Sequence, residues 1–228
     1  MKDKSITSLE RCAIIILCIL STSFASAKKK EIITVKEGDP LILLQEKKTA
    51  IFEIDYSQMM VTDGKDHDYD LVFSEWMIAQ DEDDDEWTKD WVKKDSVECN
   101  QAFRDNFNDE IKHGMKLTKI GKDYKVILRF SMINFGKKRS VANKVAGVFL
   151  GGVSTLMSNA VASGELEVRD LKTGEVKLVL AFNDLVGEEA YTQVTRFKGI
   201  FENLCEQIND FLKDYQKKQK KQQNKESE

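Results

Sequence analysis

Two histidines, His67 and His113, are the only imidazoles in the 228 residues, so a Ser–His–Asp constellation would have to use one of them. His67 stands in an Asp-rich stretch and His113 immediately before Gly114, both in exposed-looking polar surroundings. Gly152-Val153-Ser154-Thr155-Leu156 starts like the G-x-S-x-G nucleophile elbow but has Leu156 in place of the second glycine. Gly-Lys pairs occur at Gly64, Gly121 and Gly136, and none is followed by the Ser or Thr of a phosphate loop. The acid, base and nucleophile that most hydrolytic chemistry needs are not assembled by this pattern, and the expectation is a protein that is not an enzyme and holds no cofactor.

Carboxylates offer the next chemistry. Asp63, Asp66, Asp68 and Asp70 have the spacing of hard oxygen ligands, and Asp66-x-Asp68-x-Asp70 copies the opening of an EF-hand loop. The copy then breaks, because Leu71 takes the glycine position and Met77 the position of the bidentate glutamate. A calcium contact could draw on Asp83 or Asp85 as well, but the favoured expectation is a solvated acidic loop without metal.

Four cysteines fall into two groups. Cys12 and Cys18 lie in the first 27 residues, whereas Cys99 and Cys205 fall on the apolar stripes of two expected helices. A Cys99–Cys205 disulfide requires Cα atoms within about 7 Å. The alternative, which is favoured, is a pair of buried thiols acting as small hydrophobes.

The sharpest anomaly runs from Val145 to Gly164, twenty residues without a charge in a chain that is 32% charged. Gly147 and Gly151 form G-x-x-x-G around Phe149 and Leu150, and Lys137, Lys138, Arg139 and Lys144 precede the stretch. The plainest reading is a buried helix or hairpin covering one side of a sheet. A second makes Lys137, Lys138, Arg139, Gly147, Phe149, Leu150 and Gly151 a contact surface for an anionic membrane or an envelope protein. A third inserts the stretch in a bilayer, for which its small and polar residues suit it poorly.

These residues need a scaffold, and composition permits one. Thirty-five Lys and Arg against 39 Asp and Glu leave a net charge of −4, with 41% hydrophobic residues and a single Pro. That profile fits a globular domain with a real core, and the acidic balance argues against nucleic acid as a partner. Residues 1–27 read as a signal peptide: Lys2, Lys4 and Arg11, an apolar run over Ala13–Leu20, and Ala25-Ser26-Ala27 as cleavage site. Cleavage would remove three basic and two acidic residues, taking the net charge from −4 to −5.

Residues 28–48 form a polar lead-in, and 49–215 are expected as one domain. Thr49–Tyr56 alternates Ala50, Phe52, Ile54 and Tyr56 against Glu53 and Asp55, which marks a half-buried strand. Leu71–Ala79 reads as a further strand. Asp95 and Glu98 open a helix in capping-box spacing; Cys99, Phe103, Phe107 and Ile111 form its stripe, and Gly114 stops it. Gly121–Phe135 returns to strand periodicity, and Glu165–Asn183 is a hairpin turning at Thr173-Gly174. A helix over 189–215 carries Phe197, Phe201, Leu204 and Ile208, and residues 216–228 are a disordered charged tail. The fold class expected is α+β, a mainly antiparallel sheet with two helices packed on one face.

This order of elements resembles uncharacterised secreted proteins of bacterial envelopes. Ala50-Ile51-Phe52-Glu53-Ile54-Asp55, Tyr124-Lys125-Val126-Ile127-Leu128-Arg129-Phe130 and the Glu167–Val176 hairpin carry the resemblance, with Phe197, Phe201, Leu204 and Ile208 in the closing helix. More distantly it is similar to the small module at the start of the curli-secretion lipoprotein and the Tol-system β-propeller protein, from which the acidic loop and the charge-free insert depart. The resemblance implies a periplasmic or secreted, non-catalytic binding or assembly module. The alternative is a carrier holding an apolar, lipid-like ligand between the sheet and the charge-free segment.

Overall fold

The computed structural model describes residues 31–62, 71–80, 89–135, 159–187 and 192–226. Among them, eight strands form one sheet: β1 (Ile33–Gly38), β2 (Thr49–Asp55), β3 (Met60–Thr62), β4 (Leu71–Val72), β5 (Lys116–Thr118), β6 (Tyr124–Asn134), β7 (Val161–Asp170) and β8 (Val176–Val186). The path across the sheet is β1-β8-β7-β6-β2-β5, with β3 on β6 and β4 on β3. Three α-helices accompany it: α1 (Phe73–Gln80), α2 (Ser96–Glu110) and α3 (Gln193–Glu226).

The sheet is mostly antiparallel but mixed. β1–β8, β8–β7, β7–β6 and β3–β4 are antiparallel, whereas β2–β6, β2–β5 and β3–β6 are parallel. The parallel pairs arise because the chain leaves β2, passes through α2 and returns in the same direction, as a crossover connection requires.

Register places neighbours on a common face. Phe52 stands beside Val126, Val126 opposite Val168 and Val168 opposite Leu178. One step along, Ile54, Leu128, Leu166 and Leu180 form the next row, and Phe130, Gly164 and Phe182 the third. All of these apolar side chains are buried. Phe103 of α2 stacks on Phe52 at 4.3 Å between ring centroids, and Phe197 and Phe201 of α3 lie 5.7 and 6.3 Å from Phe130. Phe103 also meets Phe201 edge-on at 5.6 Å, joining the two helices.

Several sequence expectations are corrected. The lead-in is not outside the sheet: Ile33–Gly38 is its edge strand, paired to β8, and Pro40–Leu44 is a short 3-10 helix with Ile42 and Leu43 buried. Leu71–Ala79 is not one strand; only Leu71–Val72 is extended, and α1 starts at Phe73. A short apolar run satisfies either periodicity, and here Trp76 and Met77 are buried side by side while Ile78 is exposed, which alternation forbids. No capping box forms at α2, because Asp95 has helical backbone angles and ends a π-helical turn, Trp91–Asp95, that runs directly into it. The stripe itself stands as expected, with Cys99, Phe103, Phe107 and Ile111 all buried.

α3 continues to Glu226 instead of giving way to a disordered tail at 216. Lys, Gln and Glu are good helix formers, so the loss of apolar residues after Leu212 ends the packing without ending the helix. Of the charge-free stretch, the last residues, from Val161, belong to β7. Residues 1–30, 63–70, 81–88 and 136–158 lie outside the described residues, and with them the signal peptide, His67, the acidic loop and Lys137, Lys138, Arg139, Gly147, Phe149, Leu150 and Gly151.

Candidate interaction surface

Alternation along β2, β6 and β7 sends charge to the side of the sheet opposite the apolar rows. Asp55 stands beside Arg129 and Arg129 opposite Glu165; Glu53 stands beside Ile127 and Ile127 opposite Glu167. Glu167 is the centre of this face. Its side chain is only 10% exposed, and it accepts from Arg129 Nη1 at 2.7 Å and from Arg169 Nε at 2.8 Å and Nη2 at 2.7 Å. Burial alone would raise the Glu167 pKa, but the bonds from Arg129 and Arg169 outweigh it and hold the carboxyl below its usual range.

Arg129 also reaches Asp55, Nε to Oδ2 at 3.4 Å. Asp55 is held low first by the Ser57 hydroxyl, then by the Ser57 backbone N–H, which donates to it at 3.0 Å, and only after these by Arg129. Lys125 pairs with Glu53 at 2.8 Å, and Lys36 of β1 pairs with Glu165. Opposite charges thus stand on four strands of this side, where Ile127 and Ala181 are buried at 6% and 5% exposure. The result is a charge-paired face.

A second polar cluster fixes the end of the sheet. Asp123 accepts from the Thr49 backbone N–H and from Lys48 Nζ, each at 2.9 Å, and both contacts keep its carboxyl ionised below the usual range. These bonds tie the start of β2 to the start of β6.

The remaining reactive groups are dispersed. Cys99 and Cys205 are free and fully buried, so the disulfide alternative is corrected in favour of two thiols packed in the core. Burial raises both pKa values, that of Cys99 to about 12. Such thiols stay protonated and behave as small hydrophobes. Tyr56 is half-buried among Phe73, Trp91 and Phe197, its hydroxyl lies against the Cys99 thiol, and burial pushes its pKa well up. His113 is exposed, with Nδ1 3.4 Å from Glu46. Among the described residues, no three metal-capable side chains converge, and no helix is long and apolar enough to cross a membrane.

The charged face was missed at the sequence level although its signal was present. Glu53 and Asp55 were placed on the polar side of their strand, and Lys125, Arg129, Glu165, Glu167 and Arg169 alternate with apolar neighbours in the same way. What alternation does not show is which strands are adjacent.

No family model and no curated protein matches this chain. Among solved structures, a PelC dodecamer from Paraburkholderia phytofirmans superposes with a TM-score of 0.38 at 8% identity, over 77% of this chain and 96% of that one. A single-substitution variant of that dodecamer gives 0.35 at 9% identity, over 78% and 95%. Superpositions this loose define neither the class nor the activity of the present chain.

Proposed function

We propose that the chain is an exported, non-catalytic binding or assembly module of a bacterial envelope, working through the charged face of its sheet. The observation that carries this reading is the Glu167 centre. A nearly buried carboxylate shared by two arginines holds the face in one arrangement, and a rigid surface of alternating charge recognises a partner by complementarity of position. The division of the sheet supports it. Phe103, Phe197 and Phe201 all meet apolar rows, so we infer that α2 and α3 pack together on that side and not on the charged one. The leader at residues 1–27 supports export, to the periplasm or beyond it. The carrier alternative places its ligand between the sheet and the charge-free segment, of which residues 145–158 lie outside the described residues.

Site-specific photo-crosslinking in cells tests the proposal. A photoreactive residue replacing Lys125 or Glu53 is expected to yield one discrete protein adduct, identified by mass spectrometry. The same residue at Ile120, which is exposed outside the strands, should not. Absence of an adduct from every position on the face would overturn the reading.

A further inference from the structure

Beyond Leu212 the chain has no further core residue, yet α3 runs on for fourteen residues, about 20 Å of helix. This arm contains six lysines, Lys213, Lys217, Lys218, Lys220, Lys221 and Lys225. At 3.6 residues per turn all six fall within an arc of about 160°, which also holds Asp214, the ion-pair partner of Lys217. That arc lies roughly opposite the stripe of Phe197, Phe201, Leu204 and Ile208, so it continues the outward side of the helix. Tyr215, Gln216, Gln219 and Gln222 occupy the other side. The lysine side chains are exposed. Lys213 and Lys217 pair with Asp210 and Asp214 of the same helix, while Lys218, Lys220, Lys221 and Lys225 make no ion pair among the described residues.

The arm is polar all round, and a cationic side of this kind is neutralised by an extended anionic surface. We propose that the arm lies along an anionic phospholipid surface through its lysine side. Charge complementarity selects that occupant: the lysines are spread evenly along the rod, which suits a plane of headgroups, and no apolar side chain on that arc could serve a hydrophobic groove. Phe211 and Tyr215 meet in a tilted contact, 6.0 Å between ring centroids, where the arm leaves the core. The inference rests on the reading of the chain as an exported envelope protein, but it uses a different surface.

Sedimentation with vesicles tests it directly. The full chain after leader cleavage is mixed with vesicles of phosphatidylethanolamine and phosphatidylglycerol, or of phosphatidylcholine alone, at low salt. Binding is expected to the anionic vesicles only and to fall steeply with salt as screening sets in. Lys217→Gln, Lys218→Gln, Lys221→Gln and Lys225→Gln combined should lower the affinity by roughly tenfold or more with unchanged far-ultraviolet circular dichroism. A second variant keeps the charge but disperses it: Lys218→Gln, Lys221→Gln and Lys225→Gln with Gln216→Lys, Gln219→Lys and Gln222→Lys. It should bind about threefold or more weakly. Equal binding by the dispersed variant would overturn docking through one side. No binding to anionic vesicles would overturn the membrane, as would lysine-dependent self-association or polyphosphate binding in its place. Crosslinks from Lys125 or Glu53 that persist in such a case would leave the envelope-module reading standing.

Discussion

Arg129 and Glu167 bond across β6 and β7 although they are not opposite one another: Arg129 faces Glu165 in register and Glu167 faces Ile127, and the 2.7 Å contact runs along the diagonal. Diagonal neighbours on a sheet lie within reach only of long side chains, which is why an arginine makes this bond. Glu167 then receives Arg169 from its own strand, two residues on, so one carboxylate joins both strands.

Removing that carboxylate has a defined cost. Glu167→Ala should destabilise the fold by about 1–2 kcal/mol, measured as a shift of the urea midpoint. The figure is at the low end for a buried charge because Arg129 and Arg169 are 38% and 39% exposed and can turn to water. Arg169→Lys should cost less than Arg129→Ala, since Arg129 alone also reaches Asp55.

The same bonds set an acid limit. The folded Glu167 pKa lies below its usual 4.5, so the unfolded chain takes up the proton first as pH falls. The stabilisation is complete above about pH 4.5 and is lost as pH drops through the depressed folded value. Asp55, Asp123 and Asp170 are shifted the same way, by Ser57, by Thr49 and Lys48, and by the Thr173 and Lys172 backbone respectively. Thermal midpoints should therefore be flat above pH 5 and fall below it. Glu167→Gln should make that fall shallower; an unchanged slope would contradict the assignment.

Two glycines should respond to alanine in opposite measure. A Cβ on Gly164 would stand 2.1 Å from the Arg129 carbonyl oxygen and 2.7 Å from the Phe182 ring. Backbone and packed ring must both shift, and Gly164→Ala should cost about 3 kcal/mol. Gly174 has open space around its Cβ position but a φ of +72° in the β7–β8 turn, so Gly174→Ala should cost only about 1 kcal/mol. Denaturant titration of both variants would show whether crowding or backbone angle dominates.

The contrast between these glycines also shows what was legible in the sequence. Thr173-Gly174 between alternating runs marked its hairpin, because the turn is a local requirement. The α2 stripe was equally plain, every fourth residue being apolar. Gly164 looked like part of a smooth, charge-free segment, and its role in admitting the Phe182 ring depends on strand adjacency. β1 escaped notice because only Ile33 is buried in it, as an edge strand allows. In β6 strict alternation from Val126, Leu128 and Phe130 would carry Met132 inward, yet a bulge between Phe130 and Met132 turns Ile133 and Phe135 into the core. Local patterns were readable; features created by a partner strand were not.

The thiols give a chemical check on the core. Cys99 and Cys205 should resist alkylation by iodoacetamide at pH 8 in the folded protein and both react in guanidinium without reductant. Peptide mass spectrometry reads the two sites separately. Reaction only after reduction would mean a disulfide and would contradict the packing of α2 against the sheet and α3.

Asn108 offers the most local test. Its side chain acts as a strand for β5: Nδ2 donates to the Leu117 carbonyl and Oδ1 accepts the Leu117 N–H, both at 2.9 Å. The backbone of Asn108 also accepts from Lys116 Nζ at 3.0 Å. One residue of α2 thereby supplies both hydrogen bonds of Leu117, whose side chain is 2% exposed in the core. Asn108→Ala removes donor and acceptor together and should cost about 1–3 kcal/mol, with faster exchange of the Leu117 amide hydrogen. Asn108→Asp keeps the acceptor and loses the donor, so the Leu117 amide should stay protected while stability falls by a smaller amount. Rapid Leu117 exchange in the aspartate variant would show that β5 is held by its parallel pairing with β2 and not by the helix.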